Sequence, residues 1–199
     1  GTSIYVNGSA SNTHYYAAFG VASSPSASGS FKMKTGTYTG NGTTQTITGL
    51  GFKPDLVIVK NSTNQSVFRT VAMGGDSTAY YATNVANIDG GVYELTNNGF
   101  KVGSNSIVNT NGSVYSWQAF GNAFNPYTNS GAADFAVGAY YGNGIDNRNI
   151  FRLPFQPDMV AVKGNTTQVG VWKPVSLAGD SSLYFAATAS AANFVQAFN

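Results

Sequence analysis

Histidine and cysteine, the side chains that most often act as catalytic bases and nucleophiles, are nearly missing from this sequence. His14 is the single histidine, and there is no cysteine. A hydrolase that uses an activated nucleophile needs a base positioned beside it. His14 lies in a segment whose counterpart later in the chain carries Tyr115. We therefore interpret His14 as an ordinary strand residue and predict no catalytic residue and no enzymatic activity.

Two aspartate positions occur twice in the chain, Asp55 with Asp158 and Asp76 with Asp180. Glycoside hydrolysis requires two carboxylates that flank one bond, so these residues are the candidates for that chemistry. The first pair follows a proline at the start of an apolar run, where an aspartate typically accepts hydrogen bonds from turn amides. The second pair lies in Gly-Asp-Ser sequences, which are typical of turns. We therefore predict that all four are structural.

The remaining polar residues suggest two other kinds of chemistry, metal binding and covalent crosslinking. Asp89 and Asp146 lie near asparagines and could offer oxygen ligands to calcium, but neither has the spacing of an EF-hand loop. We predict no metal site and no cofactor. Lys60 and Lys163 end corresponding apolar runs, and a buried lysine beside an asparagine could form an isopeptide crosslink. The interpretation that we favour is that each ammonium reaches solvent while its stem covers apolar surface.

The composition narrows the class of protein. Charged residues make up 9% of the chain and aromatic residues 14%, with a formal net charge of +2. Disordered chains are poor in aromatics, so a folded protein is predicted. Lysines and arginines are scattered singly, which excludes a nucleic-acid-binding surface. We find no apolar run long enough for a membrane span and no signal peptide, and we predict an extracellular or virion-surface protein in processed form.

The chain contains an internal repeat, which decides the fold class. The sequence GTYTGNG from Gly36 recurs as GAYYGNG from Gly138, and KPDLVIVK ending at Lys60 recurs as QPDMVAVK ending at Lys163. The first copy continues to a closing segment that ends at Gly121, whereas the second copy stops before it. The matching closing sequence stands at the front of the chain. The chain is therefore permuted against its own repeat.

These matches divide the chain into five parts. The Ser-, Asn- and Gly-rich sequences between the repeats are typical of linkers, which we expect to leave the two repeats only loosely oriented. The parts are a closing segment at 1–20, a linker at 21–33, a complete repeat at 34–121, a second linker at 122–133, and a repeat without its closing segment at 134–199.

Short β-branched and aromatic runs bounded by Gly, Asn and Pro predict strands throughout. The runs at 56–59 and 159–162 are apolar on both faces, which predicts central strands of a sandwich. The alanine-rich stretch at 186–197 has a glycine-containing counterpart in the first copy, so we expect a loop followed by a strand. The predicted fold class is all-β, with two antiparallel, jelly-roll-like β-sandwich repeats, the second lacking its closing strands.

The first copy reads G-x-Y-T-G-N-G, then G-F-x-P-D-x-V-x-[VI]-K, then G-F-x-V-G, then a closing Y-x-W-x-A-F. The residues that carry this pattern are Gly36, Tyr38, Gly40, Asn41, Gly42, Phe52, Pro54, Asp55, Lys60, Gly99, Phe100, Val102, Gly103, Tyr115, Trp117, Ala119 and Phe120. The pattern resembles a module of phage tail-fibre-like proteins and large bacterial surface proteins. The second copy has Pro154 in place of Gly51 and lacks the G-F-x-V-G segment. The resemblance implies a structural or adhesive building block.

A sandwich without its closing strands leaves backbone groups unpaired, so another segment must fill the groove. We predict that the closing segment fills the groove of the next subunit, which gives a head-to-tail filament. Phe19 matches Phe120, and we expect both to point into a sandwich core. The alternative is that residues 1–20 complete their own second repeat. The predicted donor residues are Ile4, Val6, Tyr15, Tyr16, Ala17 and Phe19.

Two predictions concern glycans: the protein could carry them on asparagine, or it could bind them. Asn-x-Ser/Thr sequons are acceptors for glycosylation and are typical of exposed, secreted proteins. The alternative to the filament is a tail-fibre or cell-surface adhesion module that binds a host glycan. The candidate acceptors for glycosylation are Asn7, Asn41, Asn61, Asn64, Asn111 and Asn165.

Overall fold

The structure is a computed structural model, and it describes most of the chain. For residues 2–6, 13–19, 151 and 152 it describes the backbone alone. The described residues are 2–6, 13–19, 31–125, 130–131, 134–186 and 189–198.

The chain begins with two strands that precede the first repeat in sequence and pair with strands of the second repeat. They are β1 (Thr2–Val6) and β2 (Thr13–Phe19). The first repeat then runs through β3 (Lys32–Thr39), β4 (Gln45–Thr48), β5 (Pro54–Lys60), β6 (Val67–Thr70), β7 (Ala79–Tyr80), β8 (Val92–Thr96), β9 (Gly99–Val102), the short helix α1 (Ser106–Asn109) and β10 (Val114–Gly121).

The second repeat occupies the remainder of the chain. It contains β11 (Phe135–Tyr141), β12 (Arg148–Leu153), β13 (Met159–Gly164), β14 (Val171–Pro174), β15 (Ser181–Tyr184), β16 (Ala191–Ala192) and β17 (Val195–Phe198). The stretch at 186–197 thus ends in a strand, as its counterpart in the first copy indicated.

Each repeat is built from two antiparallel sheets, so the fold is all-β and sandwich-like. In the first repeat the orders are β3-β10-β5-β6-β7 and β4-β9-β8. In the second they are β11-β2-β13-β14-β15-β16 and β12-β1-β17. The orders correspond, with β2 in the position of β10 and β1 in the position of β9, except that the larger sheet of the second repeat has β16 as an additional edge strand.

The core of the first repeat lies between its two sheets. Side chains of β10 alternate, so that Tyr115, Trp117 and Ala119 are buried among the residues of the three-stranded sheet, including Phe100. The Trp117 ring fits because Gly36 stands opposite it on β3. A Cβ at Gly36 would come within 2.6 Å of that ring, so the glycine of the G-x-Y motif is required by this close approach.

A separate apolar cluster lies between the repeats. It joins Leu56, Phe68 and Phe120 of the first repeat, on the other face of the five-stranded sheet, to Phe135 at the start of β11. Phe135 is fully buried, and its ring centroid lies 6.1 Å from that of Phe120. The expectation that the linkers leave the repeats loosely oriented is therefore wrong, because an apolar sheet face of this size is stabilised by burial.

Backbone and linker contacts extend the interface between the repeats. The amide of Gly170 donates to the carbonyl of Tyr81 over 2.9 Å, and the ring of Tyr81 packs against that of Phe185 with centroids 4.7 Å apart. Phe124, within the predicted linker 122–133, is buried in the core of the second repeat. Within the described ranges, no helix has the length and apolar character needed to cross a membrane.

Candidate functional site: the closing-segment groove

The closing-segment groove is the gap between β11 and β13, which β2 fills, together with the gap between β12 and β17, which β1 fills. Strand β2 pairs antiparallel with both of its neighbours in the larger sheet. The Cα partners of Ala17 are Val137 and Ala161, and those of Phe19 are Phe135 and Met159. Strand β2 is therefore a central strand, with a ladder on each side.

The other predicted donor residues follow the same ladders. Tyr15 lies opposite Ala139 and Lys163, and Tyr16 lies opposite Gly138 and Val162. In the first repeat, Trp117 lies opposite Gly36 and Val59. Tyr16 thus occupies the register position of Trp117, opposite the matching glycine.

Strand β1 fills the second part of the groove, in the smaller sheet. Ile4 pairs with Ile150 and Phe198. In the first repeat, Phe100 of β9 pairs with Ile47 of β4 and Leu95 of β8. Strand β1 therefore supplies what the G-F-x-V-G segment supplies in the first copy, which corrects the expectation that the second copy lacks a counterpart of that segment.

Val6 is the last paired residue of β1 in the smaller sheet. The residues beside the closing segment show which side chains an empty groove would expose. Val6 pairs with Arg148 and Val195, and Val195 is fully buried in the core of the second repeat. On the β2 side, Val160 and Tyr140 belong to the same core. Removal of the closing segment would therefore open this core to water, leave β11, β12 and β17 without a ladder partner, and leave β13 with one partner in place of two.

Phe120 corrects one expectation about this segment. Strand β10 points its odd-numbered side chains into the sandwich, so Phe120 lies on the opposite face. It is buried there by Phe31 and Phe135 rather than by the core of its own repeat. The prediction that Phe120 points into a sandwich core is wrong, because the apolar character of this position comes from the contact between repeats.

Two of the candidates for catalysis, His14 and Asp55, belong to sheets of different repeats. His14 lies on β2 opposite Tyr140 and Gly164. Asp55 lies on β5 and accepts a hydrogen bond from the amide of Ala123, in the chain after β10, over 2.8 Å. Its role is structural, but its partner is not an amide of its own turn as predicted. Burial of the Asp55 carboxyl raises its pKa, against a smaller opposing effect of that hydrogen bond.

Asp76 and Asp89 form an exposed pair of carboxyl groups on neighbouring loops. The charge of Asp76, followed by a hydrogen bond between the two side chains, raises the pKa of Asp89. The amide of Gly90 donates to Asp76 over 3.4 Å. In the part of the chain that the structure describes, no group of three or more His, Cys, Asp or Glu residues is placed to hold a metal ion.

Residues 27–131 match a family described as a domain of unknown function, DUF7483. This range covers more than half of the chain and contains the whole of the first repeat, from β3 to β10. The chain belongs to this family. No curated protein and no solved structure matches this chain. The DUF7483 domain of this chain is thus one sandwich-like repeat that includes its own closing strand.

Lys60 and Lys163 end equivalent strands but lie in different environments. The Lys60 ammonium, at the exposed end of β5, donates to the carbonyls of Asn61 and Asn64. Lys163 is 2% exposed, and its ammonium donates to the carbonyls of Gly164 and Thr166 and, across the interface, of Val85. The expectation that both ammonium groups reach solvent is wrong for Lys163. Burial lowers the pKa of Lys163 to about 8.

In two of the sequons of the DUF7483 domain, the asparagine side chain forms hydrogen bonds with the backbone. Asn61 is 9% exposed, and its Oδ1 accepts hydrogen bonds from the amides of Thr63 and Asn64. The Nδ2 atom of Asn64, which a glycan would modify, donates to the carbonyl of Ser106 over 2.9 Å. These contacts give both asparagines a structural role.

The remaining sequons differ in accessibility. Asn111 and Asn165 are exposed, and Oδ1 of Asn165 accepts a hydrogen bond from the amide of Asn87 in the first repeat. Asn41 accepts a hydrogen bond from the amide of Thr43 in its own turn. Asn7 lies outside the described residues.

Asn109 is a structural residue that the sequence argument missed. It is fully buried, and its Oδ1 accepts a hydrogen bond from the amide of Asn41 over 2.8 Å. Its Nδ2 donates to the carbonyls of Thr43 and Gly103. Asn109 therefore holds the Gly-Asn-Gly turn of the DUF7483 domain against α1. An isolated asparagine in an Asn-rich chain carries no sequence signal for this role.

Arg69 and Lys173 are a second pair that the sequence argument missed. Arg69 donates to the carbonyls of Met73, Gly75 and Ser77. Lys173 is equally buried, and it donates to the matching carbonyls of Leu177, Gly179 and Ser181. Each repeat thus wraps its Gly-Asp-Ser loop around one cation. The occurrence of a basic residue at the same place in both copies was the signal that could have found it.

Proposed function

We propose that this protein is a non-enzymatic structural module of an extracellular or virion-surface assembly, in which residues 1–20 complete the second repeat of their own chain. The observation that supports this proposal is the position of β2, which lies between β11 and β13 with the same register as β10 between β3 and β5. A completed repeat has no empty groove, and the interface between the repeats makes a compact unit that suits a fibre or an adhesive surface protein.

The arrangement of the carboxyl groups supports a non-enzymatic role. The side chains of Asp76 and Asp89 are in hydrogen-bond contact, which is closer than the roughly 5 Å or more that glycosidase carboxyl pairs require. Asp55 accepts a hydrogen bond from the amide of Ala123, and the described residues that surround it include no second acidic residue. The exposed sequons at Asn111 and Asn165 support a location outside the cell, since sequons are typical of secreted proteins.

A head-to-tail filament is the second candidate, and the length of the first linker favours it. Phe19 pairs with Phe135, and the ring of Phe31 lies 5.3 Å from the ring of Phe135, so both ends of residues 20–30 lie beside one residue. A chain of that length can span roughly 35–40 Å when extended. The closing segment could therefore reach the same groove in a neighbouring molecule, by exchange of an identical element.

A pair of engineered cysteines tests which molecule supplies the closing segment. Ala17→Cys and Ala161→Cys place two cysteines at directly paired positions of β2 and β13, in a chain that has no cysteine of its own. We expect oxidation to give a disulfide within one chain, seen as a monomer on a denaturing gel without reductant. A ladder of covalent oligomers would instead establish the filament and contradict completion within the chain.

The first repeat offers a matched control for this experiment. Gln118 and Ile58 are partners at the equivalent positions of β10 and β5. Gln118→Cys with Ile58→Cys should form a disulfide within the chain under either proposal. Light scattering of the unmodified protein gives the independent readout, since a single species of 20.8 kDa supports the monomer and a polymer supports the filament.

A further inference from the structure

A cleft at one end of the first repeat has the side chains of a ligand site. It has a volume of about 340 Å³, within the range of roughly 300–1,000 Å³ that is typical of small-molecule pockets. Four segments line it: the start of β3 with Lys32, the turn before β5 with Phe52 and Lys53, the chain that leaves β10 with Asn122, and Ser130 with Gly131.

A hydrogen bond, a backbone turn and a ring packed against the backbone fix the residues that line the cleft. Asp55 lines it and is fixed by the hydrogen bond from the Ala123 amide. Asn122, one residue earlier, has a φ of 62°, in the left-handed region that side chains other than glycine rarely adopt. Gly121 lets the ring of Phe52 pack directly against the backbone, because a Cβ there would collide with that ring. The cleft is therefore formed by the fold itself.

The charges of the cleft favour an anion that also carries hydroxyl groups. Lys32 and Lys53 are both exposed at its rim, whereas Asp55 is the only acidic residue in the described lining. Two ammonium groups attract a carboxylate, while Asp55 offers an acceptor for hydroxyls. The half-buried ring of Phe52 supplies an apolar wall of the kind that packs against the C–H face of a sugar.

The second repeat shows which of these residues are specific to the cleft. Phe52 and Asp55 recur as Phe155 and Asp158, so they belong to the architecture that both repeats share. The two lysines do not recur. Met33 and Phe135 hold the same register position opposite the closing strand, so Lys32 is replaced by Asp134. Lys53 is replaced by Gln156, one residue before the shared proline.

We propose that this cleft binds a sugar unit that carries a carboxylate, with Lys32 and Lys53 contacting the carboxylate and Asp55 contacting a hydroxyl. The ligand site belongs to the first repeat alone. It does not depend on which molecule supplies the closing segment, so its failure would leave the proposed structural role untouched.

Titration of the full chain with small saccharides, followed by amide NMR shifts, tests this assignment. The acidic probes are N-acetylneuraminic acid and glucuronic acid, and the neutral probe is N-acetylglucosamine. We expect shifts at the amides of Lys53, Asn122 and Ala123 with an acidic sugar, weakened by added salt. Equal binding of the neutral sugar would overturn the role of the lysines. Equal binding of glycerol phosphate would overturn the preference for a sugar, and no shift with either acid would overturn the site.

The second repeat also supplies the variant for this test. Lys32→Asp with Lys53→Gln gives the cleft the residues that the second repeat already tolerates, so the variant is expected to fold. We expect its dissociation constant for the acidic sugar to rise about tenfold or more. Lys60→Asp with Lys101→Gln makes the same change in net charge at two residues outside the cleft lining and should leave binding within about twofold. Equal losses in both variants would contradict the assignment.

Discussion

The amide of Asn109 joins three segments of the first repeat through hydrogen bonds that are shielded from water. It contacts Asn41 and Thr43 in the turn after β3 and Gly103 after β9. A buried polar group that loses its partner costs about 1–3 kcal/mol, so one truncation here affects several groups together. This site accounts for the Gly-Asn-Gly motif, whose glycine Gly40 lies against the carbonyl of Thr110.

Asn109→Ala should lower the free energy of unfolding by about 2–3 kcal/mol, because the amide of Asn41 and the carbonyl of Gly103 lose their partner. Urea denaturation followed by circular dichroism measures the change. Asn111→Ala, at an exposed position in the following turn, is the control and should stay within about 0.5 kcal/mol of the unmodified protein. Equal effects of the two substitutions would contradict the role of Asn109.

Lys163 predicts a dependence of stability on pH. Its pKa is about 8 in the folded protein, below the ordinary value of 10.5. Between these values the folded chain releases the proton while the unfolded chain keeps it, so the free energy of unfolding rises with pH. The rise is at most about 1.4 kcal/mol per pH unit.

The comparison of the unmodified protein with Lys163→Met isolates this contribution. The difference in their free energies of unfolding should change between about pH 8 and pH 10.5, the window between the folded and the ordinary pKa, in favour of the unmodified protein. Lys60→Met, at the exposed end of the equivalent strand, should show no such change. A difference that is constant across this pH range would show that Lys163 is charged in the folded state throughout.

At the scale of secondary-structure elements, β1 and β2 are two strands that close one repeat from a distance in the chain. The ladders of β2 with β11 and β13 are as extensive as those of β10 with β3 and β5. The first repeat contains its own closing strand and core, whereas the second depends on residues 1–20. The two repeats should therefore respond differently to the loss of this segment.

Deletion of residues 1–19 should leave the first repeat folded and unfold the second, because Val160 and Val195 of its core lose their cover. Amide NMR spectra of the truncated chain should retain the dispersed signals of β3–β10. A synthetic peptide of residues 2–20 should restore the signals of the second repeat. Loss of the first-repeat signals in the truncation would contradict the separation of the two cores.

At the scale of the whole molecule, the outer face of the five-stranded sheet in the first repeat is a contact with the second repeat. Phe135 lies at the centre of this contact, since its ring packs against those of Phe31 and Phe120. The contact couples two sandwich-like units that each have a core of their own. The stability of each repeat is therefore linked to the position of the other.

Phe135→Ala should cost about 3–5 kcal/mol, because it removes a fully buried ring and leaves a cavity. Calorimetry should then resolve two unfolding transitions in place of one, as the repeats lose their coupling. Tyr141→Ala on the same strand, where the side chain is 69% exposed, should leave the melting profile unchanged. A single transition shifted as a whole in Phe135→Ala would show that the repeats do not unfold separately.

The sequence by itself determined the all-β class, the repeat and the match of the front of the chain, ending at Gly20, to the closing segment that ends at Gly121. These features are local: alternating apolar residues, Asn and Gly at turns, and motifs repeated in the same order. For β1 the match was wrong, because it placed SIYVNGS beside SIVNTNGS of the α1 region, whereas few residues are shared between β1 and β9. Ile4 stands where Phe100 stands, and this equivalence is visible only in the ladders.

The tertiary structure decided what covers the second face of the central strands. The apolar run at 56–59 was interpreted as a strand of a sandwich, yet a sandwich covers only one face of each sheet. Val57 and Val59 point into the core of the first repeat, whereas Leu56 contacts the cluster between the repeats. A pattern of apolar residues reports that a face is buried and carries no information about its partner. For the same reason the burial of Lys163 followed from the position of Val85 in the other repeat.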